Sequence, residues 1–186
     1  MGRIITNEYF GGLRNFSQEE LLGNLYPSPE FMFGYLGKNE DLDQIIAEDE
    51  KILARLGFSH EKIAQAIENV FLTDEPTYNG NHLIRRAFIE SPECPWRDYC
   101  TVSPFDLSLK VTEIIMINKE KIEEAVTFLE SRGSEGTYCF PDLVNNDLGM
   151  IFSDLHPHLI REHHFFEGKD TPYRVDPERA IRYLGI

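Results

Sequence analysis

Helical periodicity in two adjacent segments constrains the fold most. Between Asp41 and Leu56, apolar residues recur every three or four positions with acidic residues between them, which is typical of an amphipathic helix. Gly57 predicts the end of this helix, and Ser59 predicts the N-cap of a second helix that ends before Asp74. The short link between them predicts an αα-hairpin. The apolar stripe of the second helix is Ile63, Ile67, Val70 and Phe71.

The second half of the chain shows strand patterns. The segment 107–117 alternates apolar and polar residues and then becomes fully apolar, which predicts a strand that enters the interior. Asn118 is a natural N-cap for a long helix to about Arg132. Two short strands are predicted at 137–140 and 148–153, joined by a loop over 141–147. The predicted buried stripe of the long helix is Ile122, Ala125, Val126 and Leu129.

Together these elements predict an α+β fold. A helical N-terminal half would pack with a small mixed or antiparallel sheet and one long helix in the C-terminal half. The 186 residues fit a single domain over 1–186. A subdivision into a mainly helical part, 1–76, and a sheet-bearing part, 77–186, is the alternative interpretation.

Charge and composition restrict the partners. The chain has 18 basic and 32 acidic residues, a net charge of −14, and this field repels nucleic-acid backbones and anionic membranes. A basic protein partner remains compatible with that charge. No secretory or transmembrane segment is evident, and the three cysteines, Cys94, Cys100 and Cys139, are too few for a disulfide scaffold. We therefore expect a soluble cytoplasmic protein.

The densest set of chemically capable side chains follows the apolar run at 149–152. If the strand continued through His158, Asp154, His156 and His158 would lie on one face. Imidazole and carboxylate ligands suit zinc or another divalent metal ion. His163 or His164 would complete the shell or act as a base. The candidate metal ligands are therefore Asp154, His156, His158, His163 and His164.

A competing interpretation starts a helix at Pro157, a favoured first helical position, and disperses the histidines. The run Asp154-Leu155-His156-Pro157-His158 also resembles the D-x-H-x-H opening of the PHP phosphoesterases and related amidohydrolases. In those families the motif lies at the end of the first barrel strand, and most of the barrel follows it. Only residues 159–186 follow here, so the activity is not carried over.

The functional hypothesis is a binding or regulatory domain with a divalent-metal site in the stretch 154–164. One alternative is a metal-dependent hydrolase that uses the same stretch. Another is an acidic inhibitor or interaction module for a basic protein, which would use the acidic face at 41–50 or the loop around Trp96.

Overall fold

The computed structural model describes residues 23, 25–27, 34–86, 113–132, 140–171 and 173–186. In this part of the chain, six α-helices accompany a four-stranded antiparallel sheet, so the predicted α+β class is confirmed. The helices are α1 Leu42–Leu56, α2 His60–Leu72, α3 Ile122–Arg132, α4 Phe140–Asn145, α5 His156–His163 and α6 Pro177–Leu184. The strands are β1 Thr77–Tyr78, β2 Asn81–Arg86, β3 Glu113–Ile117 and β4 Gly149–Ser153.

Local capping signals place the helix ends. The side chains of Asp41 and Ser59 accept hydrogen bonds from backbone N–H groups in the first turns of α1 and α2, and Asp176 does the same for α6. Gly57 ends α1 in the left-handed conformation, with φ 72°, which costs glycine little. The two predicted helices are confirmed, and their packing as an αα-hairpin stays a prediction. The largest helix-to-helix contact joins α2 to α5.

The sheet has the order β1-β2-β3-β4, and each neighbouring pair is antiparallel. Because successive side chains point to opposite faces, β3 and β4 contribute to two apolar clusters. Ile114, Met116 and Phe152 face a cluster that contains residues of α1, α2, α5 and α6. Ile115 and Ile151 face a second cluster with α3 and α4. The sheet is therefore the middle of three layers.

Helix α3, the long helix predicted after Asn118, buries a face that overlaps only in part with the predicted one. Asn118 caps a 3₁₀ turn at Lys119–Lys121 that leads into α3, and Ala125 is fully buried as expected. Ile122 and Val126 are 38% and 44% exposed, so their prediction as core residues is wrong. Leu129 packs against the second cluster as predicted, and so does Phe128, which was not part of the predicted stripe. Of the predicted stripe, Ala125 is buried in this cluster and Leu129 is partly buried against it.

The predicted loop at 141–147 and the predicted end of the strand at Phe140 are both wrong. Helix α4 occupies most of the predicted loop at 141–147, and Phe140, expected to end a strand, begins this helix. Residues 107–112 and 137–139 of the predicted strands lie outside the described residues, as do the three cysteines and Trp96. None of the helices in the described ranges combines the length and apolar character needed to cross a bilayer.

Candidate functional site

The histidine-rich stretch begins a helix and does not continue the strand. Strand β4 ends at Ser153, and α5 starts at His156 with Pro157 in its first turn. The missing N–H of a proline costs nothing there, because the first helical N–H groups have no intrahelical acceptor. The prediction that Asp154, His156 and His158 lie on one strand face is therefore wrong.

His156 is fully buried and uses both ring nitrogens. The backbone N–H of Ser153 donates to its Nδ1 over 2.8 Å, so Nδ1 is unprotonated. The Nε2 atom therefore carries the proton of the neutral ring and donates to Oε1 of Glu167 over 2.9 Å. A metal ion at His156 would displace one of these two hydrogen bonds.

Glu167 joins this histidine to the loop that follows α5. Its carboxylate is buried, and Thr171 donates its hydroxyl to Oε2 over 3.2 Å. Glu167 has a φ of 66°, which is uncommon for a residue other than glycine. Its carbonyl accepts a hydrogen bond from Arg174, which also forms an ion pair with the buried Asp49 of α1. The loop is thus held from both its backbone and its side chains.

A second carboxylate holds the same loop from the N-terminal side. Glu40 accepts backbone hydrogen bonds from Gly37 and Lys169 over 2.6 Å each and from Asp170 over 3.2 Å. A Cβ atom on Gly168 would collide with the Glu40 carboxylate, so a larger residue there would force the Glu40 side chain to shift from these contacts. The loop 165–174 is therefore tied to residues 35–49 at several points.

His158 and His163 contact each other through their ring nitrogens. Both are buried, with 7% and 2% of their surface exposed. Their Nε2 atoms lie 3.3 Å apart, and the rings meet edge to face at an interplanar angle of 79°. The structure brings together these two members of the predicted ligand set.

His164 belongs to a different cluster. It ends α5 in the left-handed conformation, its Nδ1 lies 3.3 Å from Oε1 of Glu50, and its ring stacks on His60 with centroids 3.9 Å apart. Burial, and secondarily the adjacent His164, lower the pKa of His60 to about 4. The sequence contains no local signal for this pairing.

Asp154 lies in the turn between β4 and α5. Burial raises the pKa of its carboxyl to about 6, although nearby backbone N–H groups oppose the shift. Its Oδ1 atom is buried without a hydrogen-bond partner. The five predicted ligands are thus distributed over separate contacts. Among the described residues, no group of three or more His, Cys, Asp or Glu side chains is arranged to hold a metal ion.

The acidic face of α1 is largely engaged within the chain. Glu48 forms an ion pair with Lys169, Asp49 pairs with Arg174, and Glu50 contacts His164. The predicted docking of a basic partner on this face stays a prediction, and it would have to compete with these contacts.

No known protein family, curated protein or solved structure matches this chain.

Proposed function

We propose that the protein is a binding domain for a divalent transition-metal ion, with zinc the first candidate, and that His158 and His163 are its protein ligands. One observation carries the proposal, namely the 3.3 Å separation of their Nε2 atoms. At a zinc–nitrogen distance of about 2.05 Å, that separation corresponds to an N–Zn–N angle of about 107°. Tetrahedral coordination requires nearly this angle.

The contacts of α5 support the proposal because they hold the histidines in place before an ion arrives. Arg161 donates two hydrogen bonds to Glu68, over 2.6 and 2.9 Å, and one to Glu61 over 2.7 Å. These charge-assisted bonds tie α5 to α2, against which it packs most extensively. A rigid helix reduces the entropy that ligands lose when they bind a metal ion.

The competing interpretation is a hydrogen bond between the two rings. In that case one Nε2 carries a proton and the other accepts it. An ion bound to both Nε2 atoms requires the proton of the donor ring to move to Nδ1 or to leave. Two imidazoles supply half of a tetrahedral shell, and water or a small anion would supply the rest. The hydrolase and basic-partner alternatives stay predictions.

The test is zinc binding by protein that was purified without a histidine tag or nickel resin and then treated with a chelator. We expect about one zinc ion per chain by calorimetry and elemental mass spectrometry, and loss of this binding in the His158→Ala/His163→Ala double variant. The matched control is His82→Ala, which removes an exposed histidine of β2 and should bind zinc like the parent.

Two measurements separate loss of ligands from loss of folding. Far-ultraviolet circular dichroism reports whether the double variant is folded. The visible spectrum of the cobalt(II) form of the parent distinguishes tetrahedral from octahedral coordination. A parent that binds no zinc, or a folded double variant that binds it equally well, would refute the proposal.

A further inference from the structure

The turn between β1 and β2 carries a chemically reactive dipeptide. Asn79-Gly80 is the one asparagine–glycine pair in the sequence, and it forms the two-residue loop of the hairpin. Both residues have positive φ, 51° and 81°, as a type I′ turn requires. Both are exposed to solvent.

The Asn79 side chain also holds the end of α6. Its Nδ2 donates to the carbonyl of Leu184, and the Nδ2 of Asn81 donates to the carbonyl of Tyr183 over 2.8 Å. The last carbonyls of a helix have no intrahelical donor, so this hairpin supplies two of the missing partners. Gly185 lies so close to Asn79 that a Cβ atom there would be 2.7 Å from Nδ2.

We propose that Asn79 is a site of spontaneous deamidation, and that the reaction weakens the attachment of the C-terminal turn of α6 to the hairpin. The backbone nitrogen of Gly80 loses its proton to solvent base and attacks Cγ of Asn79. A bond forms between that nitrogen and Cγ, the Cγ–Nδ2 bond breaks, and ammonia leaves with a proton from water. Water then opens the succinimide ring at either carbonyl and yields aspartate or isoaspartate. Glycine favours the attack because it has no side chain to obstruct it.

Either product removes the contact with α6. Aspartate places a carboxylate oxygen against the Leu184 carbonyl, where the amide donated a hydrogen bond. Isoaspartate adds a methylene group to the main chain of a loop whose register requires two residues. Loss of one hydrogen bond of ordinary strength predicts that amide hydrogen exchange in α6 becomes about tenfold faster.

The experiment is to incubate the full chain at mildly alkaline pH and follow residue 79 by peptide mapping with mass spectrometry. A synthetic peptide of residues 75–84 gives the reaction rate without the fold. We expect conversion of Asn79 in the protein, more slowly than in the peptide, because Leu184 holds its amide. Asn81, which precedes His82 and is buried, should remain intact as the internal control.

Hydrogen exchange of residues 177–186 then compares modified protein with unmodified protein and with the product mimic Asn79→Asp. Faster exchange in both modified and mimic protein supports the proposal. If Asn79 remains unreacted in the protein under conditions that convert the peptide, Asn79 is not a deamidation site in the folded chain and the proposal is refuted. If Asn79 is converted but the amide hydrogen exchange of α6 does not change, the proposed effect of the reaction on α6 is refuted. Neither outcome depends on metal binding.

Discussion

Replacement of His60 by phenylalanine should flatten the pH dependence of stability between pH 6.5 and about 4. Burial next to His164 lowers the pKa of His60 from 6.5 to about 4 in the folded protein, and unfolding restores the ordinary value. Within that window the unfolded chain binds a proton that the folded chain does not. The free energy of unfolding is therefore fully retained above pH 6.5 and falls as the solution is acidified.

The magnitude follows from the two pKa values. A difference of about 2.5 between the two pKa values corresponds to about 3 kcal/mol, because each pKa unit is worth about 1.4 kcal/mol. The ring is only half-buried, so solvent screening reduces the expected contribution to roughly 1 to 2 kcal/mol. Phenylalanine keeps the planar stack on His164 and does not titrate. It also removes a buried Nε2 atom that lacks a hydrogen-bond partner.

The assay is urea unfolding of parent and His60→Phe protein at a series of pH values from neutral to weakly acidic. The variant should be about as stable as the parent at neutral pH, or slightly more stable. The free energy of unfolding of the variant minus that of the parent should grow by roughly 1 to 2 kcal/mol as the pH falls towards 4.5. A stability difference that stays constant across this range would refute the assignment of the shift to His60.

Two other substitutions test buried carboxylates. Burial raises the pKa of the Asp154 carboxyl to about 6. The folded parent therefore loses stability as the pH rises through that value. The Asp154→Asn variant should be more stable than the parent by roughly 1 kcal/mol at pH 7 but not at pH 4. An equal gain at both pH values, measured by urea unfolding, would contradict this explanation. Asp49→Asn leaves the guanidinium of Arg174 without its buried counter-ion and should cost about 3 to 5 kcal/mol, whereas Asp49→Leu/Arg174→Met should cost less. A double variant less stable than the Asp49→Asn variant, by thermal unfolding, would contradict this expectation.

Elements with local signals were predictable from the sequence. Ser59 and Asn118 mark helix starts because their side chains accept a nearby backbone N–H, and Gly57 marks an end because it tolerates positive φ. Strands β3 and β4 were recognisable as apolar runs. These signals lie within a few residues of the structure that they determine, so one sequence is enough to interpret them.

The errors arose where a distant partner decides the outcome. The apolar positions of α3 do not reveal which of them face the sheet, and Ile122 and Val126 remain exposed. Pro157 is compatible with the end of a strand or with the first turn of a helix, and in the structure it lies in the first turn of α5. The contacts of His156 with Glu167 and of His164 with His60 depend on how the chain returns on itself. Residue spacing does not contain that information.

The ties between Glu40 and the loop after α5 have a consequence for synthesis. Glu40 and Lys169 are separated by 129 positions. At ribosomal rates of about 5 to 20 residues per second, roughly 6 to 26 s pass between their appearance. During that interval the Glu40 and Asp49 carboxylates have neither loop donors nor Arg174, and the inner face of α1 lacks its contacts with α6. A nascent chain of this protein therefore exposes α1 and α2 to chaperones before the segment that packs against them has been translated.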